Sequence, residues 1–105
     1  MNCAIIGSTK IAEVHAEQLA KNGIKEITFI SRSVQKRKKI IFKVKKKIFK
    51  KVSFFHSDIK ILKKNFFNII CICSNTEVHH EHLKVVSGSK SIIIVEKPII
   101  SLLKF

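Results

Sequence analysis

Apolar positions along the chain follow two alternating periods. Residues 2–6 (Asn-Cys-Ala-Ile-Ile) form a short, nearly continuous apolar run that stops at Gly7, the pattern of a buried strand followed by a turn. From Ile11 the apolar positions Ile11, Ala12, Val14, Ala16, Leu19 and Ala20 keep a helical spacing. Asn22-Gly23 supplies the stop, with glycine where a left-handed cap is wanted. Ile27-Thr28-Phe29-Ile30 is a second β-branched and aromatic run, ending in the polar Ser31-Arg32-Ser33. Strand, glycine turn, helix and strand within about 30 residues make a βαβ unit.

The second half repeats the alternation. Val52-Ser53-Phe54-Phe55 reads as a third short strand, and Asp58 to Asn65 as a connecting helix or turn with Asp58 as its N-cap. Asn68-Ile69-Ile70-Cys71-Ile72-Cys73 is the clearest strand and is closed by Ser74, Asn75 and Thr76. Residues 77–87 keep helical spacing through Val78, His82, Val85 and Val86, ended by Ser87-Gly88. Ser91 to Val95 is a last buried strand, and Pro98 in Glu96-Lys97-Pro98 prevents the ladder from continuing. Strands that are apolar throughout and alternate with helices imply a parallel sheet covered on both faces. The fold class predicted is therefore α/β, a doubly wound, Rossmann-like parallel sheet in the strand order 3-2-1-4-5. A single domain spans residues 1–98, with 34–51 as a variable segment.

Composition changes this picture at one place. The chain has 105 residues and a net charge of +14. Residues 36–51 hold 10 of the 21 basic groups and no acid. Apolar residues at 41, 44 and 48 within this run suit an amphipathic helix, while 42, 44 and 48 also suit strand alternation. Such a run is either the solvated face of a helix or a patch for a polyanion such as nucleic acid or for an anionic membrane surface. With 46% hydrophobic residues the chain is globular rather than disordered. No apolar run approaches the ~18–20 residues of a membrane-spanning helix, and the N-terminus lacks a signal-peptide pattern, so a cytoplasmic setting is expected. Three cysteines, with Cys71 and Cys73 two apart on one strand face, read as small buried hydrophobes.

In a doubly wound fold the first strand-to-helix turn faces the ligand, and unpaired N–H groups at the helix N-terminus attract a phosphate. That turn is Gly7-Ser8-Thr9-Lys10-Ile11-Ala12. Against the dinucleotide pattern G-x-G-x-x-G/A, Gly7 and Ala12 fit and Thr9 stands where the second glycine lets a pyrophosphate approach. The Ser8 and Thr9 hydroxyls offer donors instead. The end of the second strand ordinarily carries an acid for the ribose 2′-hydroxyl. Here it carries Ser31, Arg32 and Ser33, and a guanidinium pairs with a 2′-phosphate, which favours NADP over NAD. An exposed loop arginine is the alternative for Arg32.

These residues resemble a known family. Cys3-Ala4-Ile5-Ile6-Gly7 with His15 eight residues on, Ile70 to His79, Gly88, and Ile94-Val95-Glu96-Lys97-Pro98 are similar to the nucleotide-binding domain of the Gfo/Idh/MocA oxidoreductases. The likeness spans residues 3–98. It implies reversible hydride transfer at a sugar or cyclitol carbon, with the turn from Gly7 to Ala12 on the pyrophosphate. It adds Cys73, Ser74, Asn75, His79, Glu96, Lys97 and Pro98 to the cofactor-binding set, with Lys97 catalytic and Lys97-Pro98 a candidate cis bond. Two departures stand out: Thr9 replaces the second glycine, and Asn75-Thr76 replaces the family's usual Pro-Asn. Residues 99–105 correspond to the start of the family's substrate domain, so turnover is not expected from residues 1–105 alone. A separate substrate-domain chain or a homo-oligomer is the partner this implies.

His79-His80-Glu81-His82 invites a metal reading, but two ligands on one helix face lack the third that zinc requires, so no metal is expected. His15 reads as a packing residue on the first helix.

Overall fold

Residues 1–48, 51–73 and 90–95 are described by the computed structural model of the chain. They form five parallel strands, β1 (Asn2–Ile6), β2 (Glu26–Ile30), β3 (Ser53–Ser57), β4 (Ile69–Ile72) and β5 (Ile92–Val95), in one sheet of order β3-β2-β1-β4-β5. Helices α1 (Lys10–Lys21) and α2 (Val34–Lys47) connect the first three strands, and the short α3 (Ile61–Lys64) precedes β4. The predicted fold class and strand order are therefore observed. The expected helix over 77–87 lies outside the described residues.

Period-2 alternation explains how strands this apolar serve two cores. Cys3, Ile5, Ile27, Phe29, Cys71 and Cys73 face α1 and α2, whereas Ala4, Ile6, Ile30, Ile70 and Ile72 face Phe67 and the α3 region. On the first face the ring of Phe29 stacks on Phe54 of β3, with centroids 6.3 Å apart. The small stripe Ala12, Ala16 and Ala20 brings α1 close over the sheet. Helix α1 ends in a Schellman motif: Gly23 N–H donates to Ala20 O (3.2 Å) and Ile24 N–H to Leu19 O (3.0 Å). Gly23 has φ of +95°, as the sequence predicts for this position.

The basic segment resolves into a helix. Ser33 caps it, its hydroxyl accepting from Lys36 N–H at 3.2 Å, and Lys, Arg and Gln are good helix formers. Its inward residues are Arg37, Ile40 and Val44, with Ile41 and Ile48 partly buried beside them. One expectation is corrected: Asp58 does not cap α3, whose N-cap is Lys60. The Asp58 carboxylate instead accepts from Lys60 N–H at 2.9 Å, turning the chain sharply as it leaves β3.

At the opposite edge of the sheet Asn2 and Asn68 exchange hydrogen bonds, each backbone N–H donating to the other's Oδ1 (3.0 and 2.8 Å). This pairing holds the starts of β1 and β4 in register. Among the described residues no helix is long and apolar enough to cross a membrane.

Candidate functional site

The strand ends are level. Ile6 pairs in register with both Ile30 and Ile72, Ile30 with Ser57, and Ile72 with Val95. Gly7, Ser31 and Cys73 consequently leave the sheet side by side, at the edge where open α/β sheets bind ligands. Backbone bonds extend the ladder one step past the strands: Gly7 N–H to Ile30 O (2.8 Å), Cys73 N–H to Ile6 O (2.8 Å) and Ser31 N–H to Ser57 O (3.2 Å). The central crevice, where α1 leaves β1 beside β4, is the point at which the strand order reverses.

Gly7 has φ of +119°, a backbone conformation that other residues enter only with strain, and this lets the chain turn abruptly into α1. Thr9 is the N-cap residue of α1, yet its side chain makes no capping bond. Its hydroxyl donates to Cys73 O (3.4 Å), so it ties the turn to the end of β4. The first-turn N–H groups of Lys10, Ile11 and Ala12 have no intrahelical acceptor by helix geometry, and no side-chain cap covers them. Ala12 is fully buried against the sheet, whereas Thr9, Lys10 and Ile11 are exposed at the turn and Ser8 is half-buried. The small third position of the pattern thus serves packing, and the exposed positions remain open to a ligand. Glu13, nearly buried in the same turn, places a carboxylate near the helix's positive end, which stabilises α1 and opposes an incoming anion.

Beside this turn, the β2 end is built from hydroxyls and cations. Ser33 N–H donates to Ser31 Oγ (3.3 Å), and the Ser33 hydroxyl is engaged in capping α2. Arg32 is exposed between them. No acidic residue occurs from 27 to 57. Gly7, Ser8, Thr9, Lys10, Ile11, Ala12, Ser31, Arg32, Ser33 and Cys73 thus all belong to the C-terminal edge or the helix starts just beyond it. Ser74, Asn75, His79, Glu96, Lys97 and Pro98, including the candidate cis bond, lie outside the described residues.

Cys3, Cys71 and Cys73 are buried behind the crevice. A hydrogen bond with Cys71, burial and the neighbouring thiols push the Cys3 thiol far up, so it stays protonated and unreactive. No cluster of three or more metal-ligating side chains occurs among the described residues. His15 is half-buried on α1. The residue that sequence reasoning passed over is Arg37, only 8% exposed in α2. Its signal was its helical spacing to Ile40 and Val44, hidden in a run of lysines.

A parallel sheet of this order, with a glycine turn delivering an uncapped helix to the centre of its C-terminal edge, defines a doubly wound nucleotide-binding domain. The chain belongs to the Gfo/Idh/MocA family: the model of this oxidoreductase family, an NAD-binding Rossmann fold, matches residues 1–104. No match was found among curated protein sequences. Shikimate dehydrogenase from Mycobacterium tuberculosis superimposes with a TM-score of 0.71 at 12% identity, covering 98% of this chain and 42% of that one. A probable dehydrogenase from Thermotoga maritima gives 0.68 at 19% identity, covering 94% and 28%. An oxidoreductase from Agrobacterium radiobacter, in complex with NAD+, L-tartaric acid and magnesium, gives 0.67 at 20% identity, covering 93% and 28%. These likenesses are of fold, and the chain spans less than half the length of each of these proteins.

Proposed function

We propose that this domain binds NADP in preference to NAD and serves as the cofactor-binding part of an oxidoreductase acting on a sugar or cyclitol hydroxyl. The observation that carries the reading is the uncapped start of α1 lying beside a β2 end that holds Ser31, Arg32 and Ser33 and no acid. The N–H groups of Lys10, Ile11 and Ala12 suit a pyrophosphate, and Arg32 suits a 2′-phosphate through a charge-assisted pair. A bound nicotinamide cofactor supplies or accepts the hydride. Lys97, assigned by family resemblance, holds the substrate oxygen or moves its proton. Ser74, Asn75, His79, Glu96 and Pro98 complete the nicotinamide side on the same ground, with Cys73 closing the crevice at the end of β4.

In this reading residues 1–98 hold the dinucleotide, and the groups that orient substrate and exclude water come from outside them, from a further domain, a separate chain or a second copy. The longer dehydrogenases that share the fold support that division. Orientation and water exclusion account for much of an enzyme's rate, so residues 1–105 by themselves are expected to bind cofactor without turnover.

The test is titration with NADPH and with NADH at low and high salt, following nicotinamide fluorescence, a window left clear because the chain has no Trp or Tyr. Saturable, salt-tolerant binding with NADPH preferred is the expected result. Equal binding of the two would remove the NADP preference. Binding that disappears with salt would point to the lysines of α2 acting as a polyanion patch.

A further inference from the structure

The outer face of α2 carries one sign of charge, and the crevice at the strand ends makes no use of it. All seven lysines of the helix are exposed, and the chain supplies no acid from residue 27 to 57. Lys47, at the end of the helix, meets Glu17 of α1 at 3.9 Å. An ordinary solvated helix face mixes the two signs, whereas lysines at i and i+4, such as Lys39 and Lys43, repel each other. Their clustering costs stability in the domain alone, and that cost is recovered when an anion lies across the face.

Geometry orders this charge around one aromatic ring. Arg37, Ile40 and Val44 point inward, so the 3.6-residue period sets Lys39, Phe42 and Lys46 on the line opposite to them. Lys38 and Lys45 flank that line on one side and Lys43 on the other. Phe42 is 62% exposed at the centre of the face, and the Lys46 ammonium stands 4.2 Å from its ring centroid. A single exposed phenylalanine is commonplace on protein surfaces. One that is surrounded by lysines and steadied by a cation over its ring is a stacking platform beside a row of phosphate contacts.

We propose that the outer face of α2 binds single-stranded nucleic acid, with its lysines on the phosphates and one base stacked on Phe42. The inference is independent of the dinucleotide reading, because this face is turned away from the sheet and its crevice. Unpaired bases set the ligand apart from a duplex, whose bases are stacked on one another and closed to the ring. An anionic bilayer fits less well: α2 turns its apolar stripe, Ile40 and Val44, into the core and keeps only Phe42 to insert. Inserting that ring would also draw the Lys46 ammonium toward the acyl chains.

The probes are fluorescein-labelled oligothymidylate of about 12 nucleotides and oligouridylate of the same length, titrated by anisotropy with the full chain across a range of sodium chloride. Both are expected to bind, within about threefold of each other, since phosphate and base are common to DNA and RNA, and more tightly than a duplex of that length. The logarithm of affinity is expected to fall against the logarithm of salt with a slope of about −2 to −4, as about three to six phosphate contacts require. Phe42→Leu keeps an apolar residue and every charge. It is expected to weaken oligothymidylate binding by about fivefold or more and leave the slope unchanged. The double substitution Lys39→Gln, Lys43→Gln is expected to make the slope shallower by about 1.4. All three positions are exposed, and a thermal melt reads the fold of each variant.

Absence of binding at low salt, or either variant lacking its expected effect, would overturn the inference. Inorganic polyphosphate or the duplex bound as tightly as the single strand would overturn it too, leaving a charge patch with no stacked base. Sedimentation with phosphatidylcholine vesicles containing about 30% phosphatidylserine, in a protein that binds neither oligonucleotide, would assign the face to a membrane surface instead.

Discussion

Thr9 is the residue on which the dinucleotide turn departs from its pattern, and the structure shows what occupies the difference. Its hydroxyl spans the crevice mouth to Cys73 O at 3.4 Å, a long and therefore modest bond, and the residue's φ of −84° demands no glycine. The side chain thus acts as a strut where a pyrophosphate would otherwise reach bare backbone. Thr9→Gly is expected to tighten NADPH and NADH alike by several-fold, because it removes steric bulk from a part common to both. The stability loss should be only a few tenths of a kcal/mol, since glycine is tolerated at an N-cap and this threonine makes no capping bond. Titration beside a thermal melt checks both, and weaker binding by the variant would mean that the hydroxyl itself contacts phosphate. Gly7, Thr9 and Ala12 were legible in the sequence because their roles depend on backbone shape within one turn. Arg37 was not legible, because burial depends on which face of α2 meets the sheet, and a lysine run obscures that face.

Among the elements, α2 carries the most tension between local charge and fold. Eight of its 14 residues are Lys or Arg, and none is acidic. Three lysines sit in its last turn, where the helix dipole favours them, but its first turn has no acid to match. Ser33 is therefore the main local feature favouring its N-terminus, together with the packing of Ile40 and Val44. Ser33→Ala is expected to destabilise the domain by about 1 kcal/mol. The backbone N–H that Ser33 donates to Ser31 Oγ is retained in Ser33→Ala, so loss of the cap is the first effect and the β2 end keeps its own hydrogen bond. A denaturant melt measures the first effect, and a melt indistinguishable from wild type would show that packing alone holds the helix start. The strands, α1 and its glycine stop were readable from the sequence, since apolar period and turn chemistry agree there. The basic segment was not decided by period alone: Ile40, Ile41, Val44 and Ile48 fit a helix only once the Ser33 cap and the sheet beneath select it. Asp58 was misread for a related reason, as a turn of three residues and a helix N-terminus use the same side-chain chemistry.

At the scale of the molecule, a net charge of +14 on 105 residues acts against the compact state through self-repulsion. The exposed lysines of α2 are the densest part of that field. Lys46 lies 4.2 Å from the ring centroid of the outward-facing Phe42, where it gains a cation–π contact. Repulsion among exposed charges is long-ranged at low salt and fades once the Debye length falls from about 20–30 Å toward 4–5 Å. The cores on the two sheet faces, with Phe29, Ile5 and Ile72 fully buried, are not weakened by sodium chloride in that range. Raising sodium chloride from about 20 to about 500 mM should therefore stabilise the domain. If screening restores about 1 kcal/mol, the melting temperature of a domain this size rises by roughly 4–8 °C. The same salt change should leave a crevice-bound dinucleotide far less affected than a polyanion held by surface lysines, whose binding falls steeply as counterions compete. A melting temperature that fell with salt would show that attractive pairs outweigh repulsion in this fold. The lysine face of α2 would then be a partner in intramolecular ion pairs rather than a source of strain.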